Sequence, residues 1–86
     1  MSDVEQVHQF LSQSLHTSGN AALGLSDAEY LVSTVRAVLR EATEGSVRDE
    51  VRQALTRYAA ASDLITQAVT QVRAADEQVM AYQASL

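Results

Sequence analysis

Residues 51–86 read VRQALTRYAAASDLITQAVTQVRAADEQVMAYQASL, and within them Val51, Tyr58, Ile65, Val72, Val79 and Leu86 recur every seventh residue. Ala54, Ala61, Ala68, Ala75 and then Tyr82 recur in register between them. A repeat of seven divided three and four has a period of 3.5, which keeps one narrow stripe of a helix turned toward a partner helix. Large residues at one position and mostly alanine at the other let the two axes approach to the short end of the usual ~8–10 Å range. The stretch therefore predicts a long helix lying flat along another helix. The members of this seam from Val51 to Tyr82 are its candidate partner-binding residues.

The rest of the composition agrees with helices. The chain has 86 residues, no proline, no cysteine, no tryptophan, three glycines and one phenylalanine. It is read as one domain, residues 1–86. A chain of this size buries only roughly 60% of the surface it exposes unfolded, so one copy is marginal unless helix packing or a partner adds buried area. Without cysteine, neither disulfides nor thiolate metal sites supplement that core. The net charge of −5, with six arginines and no lysine against eleven acids, argues against nucleic acid as a partner, because such domains carry a basic stripe. Arg48, Arg52 and Arg57 cluster, but Asp49 and Glu50 stand among them, which reads as a solvated face of mixed charge. No apolar run approaches the ~20 residues needed to span a bilayer. The first residues, Met1 to Glu5, are acidic where a secretory signal has a basic start. The expected location is cytoplasmic, or secreted without a cleaved signal peptide.

Three helix starts are expected where a serine precedes an acid by three residues: Ser2 with Glu5, Ser26 with Glu29, and Ser46 with Asp49. A first helix would run over 3–16, with Val4, Val7, Leu11 and Leu15 on one side, and stop near Gly19 and Asn20. Residues 17–25 would form a packed kink or short loop. A second helix would cover 27–43, its apolar side formed by Ala28, Leu31, Val35, Val38 and Ala42. The third would start at Val47. Gly45 is the sharpest turn signal and divides the chain into two arms of equal length, so the second arm can fold back along the first. The expected fold is thus all-α, a helical hairpin with its first arm split into two helices, associating as an antiparallel helical bundle.

Candidate chemistry is sparse. Glu5 and His8 have the spacing used in di-iron bundles, but such a site needs two of these pairs and two further glutamates. Glu5 is better used as the capping acid for Ser2, and His16 suits the negative end of a helix. The chain has no cysteine nucleophile, no Gly-x-Ser-x-Gly elbow and no glycine-rich phosphate loop. Tyr58 and Tyr82 fall on the seam, where a tyrosine packs its ring and leaves its hydroxyl at the edge. No catalytic residue, metal ligand or cofactor is assigned, and the chain is read as a non-enzyme.

Asp76 has two readings. It follows the seam residue Ala75, so it is either an acid bordering the seam or part of a recognition element. The turn Thr43-Glu44-Gly45 and the stretch from Arg73 to Gln78 resemble the WXG-type, ESAT-like helical hairpins secreted by type VII systems. Those proteins have a Trp-x-Gly turn between two helices and a Tyr-x-x-x-Asp/Glu export element near the C-terminal end. Gly45 and Asp76 match these motifs, while Thr43 stands where the tryptophan would be and Val72 where the tyrosine would be. The resemblance implies a small exported protein, or the partner of one, with Asp76 as the export-element candidate. The alternative is an intracellular helical adaptor or structural subunit that forms a homodimeric four-helix bundle. In either case the partner is a second helical protein or a second copy, in a homo- or heterodimer.

Overall fold

The computed structural model describes residues 3–86 and consists of two helices, α1 (Asp3–Ala42) and α2 (Asp49–Ser85). They lie side by side in a rod of 66 × 15 × 14 Å. Forty residues at about 1.5 Å each span about 60 Å, so the rod is one helix long and two helices wide. The all-α hairpin expected from the heptads is present.

The first arm is one helix. Its 40 residues continue through 17–25, where a break was expected, and Gly19 and Gly24 are both helical. A glycine inside a helix costs ~1 kcal/mol relative to alanine, which weighs against a lone helix. Here it is outweighed, because packing along α2 supplies most of the stability of a long amphipathic helix. Ser26 accordingly caps nothing and lies within α1, as Glu29 does. The expected cap at Ser2 lies outside the described residues.

The chain reverses direction in six residues. Gly45 has φ 81, a left-handed conformation that only glycine adopts without strain, and it supplies the reversal the sequence pointed to. Thr43 closes α1: its Oγ1 donates to the Leu39 carbonyl at 2.6 Å and its N–H to the same oxygen at 3.0 Å. The Ser46 N–H then donates to the Thr43 carbonyl at 2.9 Å. α2 begins two residues later than expected. Arg48 holds the N-cap position with extended backbone (φ −68, ψ 140) and no side-chain cap. Ser46 Oγ instead accepts from the Arg48 N–H at 3.3 Å, so the box expected between Ser46 and Asp49 does not form. Asp49 and Glu50 in the first turn face the positive end of the helix dipole. They also pair with Arg52 and Arg48 at 3.4 and 3.3 Å, exposed contacts that contribute little.

Three hydrogen bonds between the arms, from two side chains of α2, fix the register. Ser62 Oγ donates to Glu29 Oε1 at 2.6 Å, and Gln83 Nε2 donates to the His8 carbonyl at 3.2 Å and to Ser12 Oγ at 2.8 Å. Glu29 and His8 lie three heptads apart on α1, and Ser62 and Gln83 three heptads apart on α2 in the opposite sense. The helices therefore run antiparallel with one register from end to end.

The seam between them is heptad-spaced on both sides. On α1 it follows Leu11, Leu15, Ser18, Ala22, Leu25, Glu29, Val32, Arg36 and Leu39, alternating three and four, all half-buried except Ala22. On α2 it follows Val51, Leu55, Tyr58, Ser62, Ile65, Val69, Val72, Asp76 and Val79, all half-buried. Among the described residues Ala22, 7% exposed, is the only buried one. Two helices give each side chain neighbours on one side only, so the hairpin has a contact line and no enclosed core.

Candidate functional site

Each helix carries a second heptad pattern one residue before its seam. On α1 the inner of these rows is Val7, Ser14, Ala21, Ala28, Val35 and Ala42, and the outer is Phe10, Thr17, Gly24, Leu31 and Val38. On α2 the inner row is Ala54, Ala61, Ala68, Ala75 and Tyr82, with Arg57, Leu64, Gln71 and Gln78 outside it. A step of one residue turns the same way about each helix, and the helices are antiparallel, so these flanks fall on the same side of the hairpin. The groove lined by Thr34, Val35, Val38, Leu39, Ala42 and Tyr58, about 380 Å³, opens on this side and is apolar but for one threonine and the tyrosine hydroxyl.

The face is apolar and exposed. Phe10, Leu31, Val38 and Leu64 are each 60% exposed or more, and Val35 and Tyr82 about half. The α1 rows contain no charged residue. The opposite side differs in chemistry: a groove there is lined by Ser26, Glu29, Thr66, Val69, Thr70 and Arg73, and Glu5, Arg40, Arg52, Asp63 and Glu77 lie along it. Leu23, Tyr30 and Met80 are also exposed on that side, so the two sides of the hairpin differ in charge more than in apolar content.

The residues assigned to the seam from sequence divide between two surfaces. Val51, Tyr58, Ile65, Val72 and Val79 are half-buried along the line facing α1. Ala54, Ala61 and Ala68 flank that line, half-buried, while Ala75 and Tyr82 are exposed on the apolar face. Asp76 is not an exposed border residue. It is half-buried in the contact line, at the level the register gives to Leu15. Gly45 is exposed at the tip of the turn, and a Cβ there would meet nothing within 4 Å.

The stripe expected to bury the second half of arm one is exposed instead. Leu31 and Val38 are 61% and 60% exposed and Ala42 is exposed, because the row that packs on α2 is one residue later, at Val32, Arg36, Leu39 and Thr43. Hydrophobicity pointed to the wrong row: the packed one includes Glu29, Arg36 and Thr43. Glu29 is accommodated by two hydroxyls, Ser33 Oγ and Ser62 Oγ, which both donate to its Oε1 at 2.6 Å. Those bonds, Ser33 first, hold its carboxyl below the ordinary glutamate value, against a smaller effect of burial. Arg36 has its Nε enclosed without a hydrogen-bond partner.

Among the described residues no group of three His, Cys, Asp or Glu side chains is placed to hold a metal ion. Among the same residues no helix is long and apolar enough to cross a membrane. The chain matches no family model, no curated protein and no solved structure.

Proposed function

We propose that the chain is a small non-enzymatic helical interaction protein whose hairpin is one half of a larger helical assembly. The observation that carries this reading is the distribution of apolar residues. The more hydrophobic row of α1 faces solvent, while the row packed on α2 includes Glu29 and Arg36. A face of that kind on a hairpin with one buried residue among those described is a surface for association, since isolated proteins rarely expose contiguous apolar patches of this length. Alanine at four of the five inner positions of α2 suits close approach of another helix.

Within that reading, a role in type VII secretion, as an exported protein or its partner, rests on the match of Gly45 and Asp76 to the turn and export motifs of the WXG-type hairpins. The absence of both signature aromatics favours the second reading, an intracellular adaptor or structural subunit. The test is the mass and helicity of the purified chain, alone and co-expressed with the products of neighbouring genes. Association in either preparation supports the proposal. A fully helical monomer that melts cooperatively and gains no mass on co-expression removes it.

A further inference from the structure

We infer that the two helices of one hairpin form a gear with two positions. Each turns by about 51°, one place on the heptad wheel, in the opposite sense to the other. The turn exchanges the observed seam for one that contains no charged residue and covers the inner row of the apolar face.

The two seams share half their residues. On α2 the row Val51, Tyr58, Ile65, Val72 and Val79 belongs to both. It is flanked on one side by the row of Leu55, Ser62 and Asp76, and on the other by the alanines from Ala54 to Ala75. On α1 the row Leu11, Ser18, Leu25, Val32 and Leu39 is common, with Ala22, Glu29 and Arg36 in one flanking row and Ala21, Ala28 and Val35 in the other. The structure packs the first flank of each helix. Passing to the second flank turns each helix the same way about its own chain direction. Because the helices are antiparallel, they turn oppositely when seen from one end, as meshed gears do. The register set by Ser62 on Glu29 leaves Ala61 within two residues of the level of Ala28, and likewise Ala54 with Val35 and Ala68 with Ala21. The exchange therefore needs little sliding along the axis, ~3 Å or less.

The observed seam holds polar groups that the second facing releases. Arg36 has its Nε enclosed without a partner, and Glu29 and Asp76 are half-buried in the contact line. In the second facing all three move to the outer edge, where water solvates them, and Val35, 45% exposed in the structure, moves inward with the alanines. Against this, the observed seam packs the larger side chains of Leu15, Leu55 and Val69. It also has the hydrogen bonds from Ser62 to Glu29 and from Gln83 to His8 and Ser12. Two packings of one sequence separated by such offsetting terms are the basis of a switch. The step is short, since Ala54, Ala61 and Ala68 are already half-buried beside the line.

In the observed facing the inner row of α1 lies open beside Phe10, Leu31 and Val38; in the second, α2 covers it. A partner that uses the whole face selects the observed facing, and the free chain withdraws part of that face. This coupling rests on the association reading above, whereas the two facings do not.

The test uses cysteine pairs in the full chain, which has no cysteine of its own. Ala22→Cys with Val69→Cys reports the observed facing, and Ala21→Cys with Ala68→Cys the second. Ser26→Cys with Thr66→Cys, across the groove at the opposite edge of the seam, measures closure by ordinary flexing. Each pair is equilibrated in a glutathione buffer at high dilution, and disulfides within one chain are separated from those between chains by mass. The Ala21 and Ala68 pair is expected to close more than the Ser26 and Thr66 pair; equal closure overturns the inference. Ser62→Asp removes the donor to Glu29 and sets a second carboxylate against it in the observed facing only. It should raise closure of the Ala21 and Ala68 pair relative to the Ala22 and Val69 pair about fivefold, the scale of one lost hydrogen bond, with helicity retained. Ala61→Asp charges the second seam and should move the ratio the other way. Loss of helicity in Ser62→Asp, or a ratio that neither change moves, also overturns the inference. A wild type that proves monomeric removes the association reading and leaves the cysteine pairs to be read in the same way.

Discussion

Ser62 on α2 donates a hydrogen bond across the hairpin to Glu29 on α1, at 2.6 Å, and the oxygen that accepts it also accepts from Ser33 at the same distance. Both bonds favour the ionised carboxyl, so its pKa lies below the ordinary value of 4.5. A folded-state pKa below the unfolded one contributes stability that is present above the unfolded value and lost as pH falls through the folded value. The hairpin is therefore expected to melt at lower temperature as pH is taken below about 4.5, and Glu29→Gln to flatten that part of the profile. Thermal melts of the two proteins across the acid range check this. Parallel profiles would mean that the carboxyl titrates normally.

Arg36 occupies the same seam row one heptad later, and the register brings it to the level of Leu55. Its Nε is enclosed without a hydrogen-bond partner, a situation that costs ~1–3 kcal/mol for a buried polar group. Arg36→Met keeps the length of the side chain and removes the unpaired donor. Its melting temperature is expected to rise. A fall would show that the guanidinium makes a favourable contact at its outer end that outweighs the Nε.

Gly45 isolates a backbone effect. Its φ of 81 excludes most side chains without strain, yet a Cβ at this position has open space around it. Gly45→Val is expected to destabilise by ~1 kcal/mol or more, with no steric contribution. Gly45→Asn should lose less, because asparagine tolerates the left-handed region. Equal melting temperatures for all three proteins would mean that the turn has another conformation.

Ile65 and Leu64 are neighbours in sequence with opposite duties in a single hairpin. Ile65 is half-buried in the line against α1, whereas Leu64 is 64% exposed. Ile65→Asp removes an aliphatic contact, worth ~2 kcal/mol or more, and sets a charge in the seam. It is expected to unfold the hairpin or split its assembly. Leu64→Asp should leave the α1–α2 packing alone and affect association only. Circular dichroism and sedimentation on the same samples separate the two effects; a folded Ile65→Asp variant at wild-type mass would contradict the placement of the seam.

The second arm was legible because Val51, Tyr58, Ile65, Val72 and Val79 form an uninterrupted apolar row, and Gly45 marked the turn for a conformational reason that composition does not obscure. The other line of the seam was legible only in part. The inner places of that line belong from the first heptad onward to Leu55, Ser62, Val69, Asp76 and Gln83, one residue after the alanine row, and a row with three polar members gives no apolar signal. Ala54, Ala61 and Ala68 accordingly flank the contact, while Asp76 and Gln83 take the inner places in preference to Ala75 and Tyr82. The first arm was misread for two reasons. Gly19 and Gly24 lower helix propensity locally, but tertiary packing outweighs propensity over so long a helix. The packed row includes Glu29 and Arg36, so a search for the apolar stripe found Leu31, Val35 and Val38 instead. That row is real, and its exposure is the main sign of a partner.

Asp76 brings the two functional readings to one experiment. It is half-buried in the contact line and followed four residues later by the exposed Met80, so its carboxyl occupies a place that an apolar residue would fill more favourably. A polar residue retained in a seam has either a structural role, such as fixing register, or a role outside the fold. Asp76→Ala tests which. The purified variant is expected to keep its helicity and mass, because Ser62 with Glu29 and Gln83 with His8 already hold the register. If a secretion machine reads this stretch of α2, the variant should be absent from the culture medium while its cytoplasmic level is unchanged. A half-buried carboxyl is poorly presented by the closed hairpin, so recognition would require the end of α2 to part from α1. Substitution at Gln83, which donates to His8 and Ser12 at that end, supplies the control. Gln83→Ala loosens the same end without touching the acid and should leave export intact or raise it. Equal export of wild type and Asp76→Ala would assign the carboxylate to the helix seam alone, and absence of the wild type from the medium would leave the partner and adaptor readings.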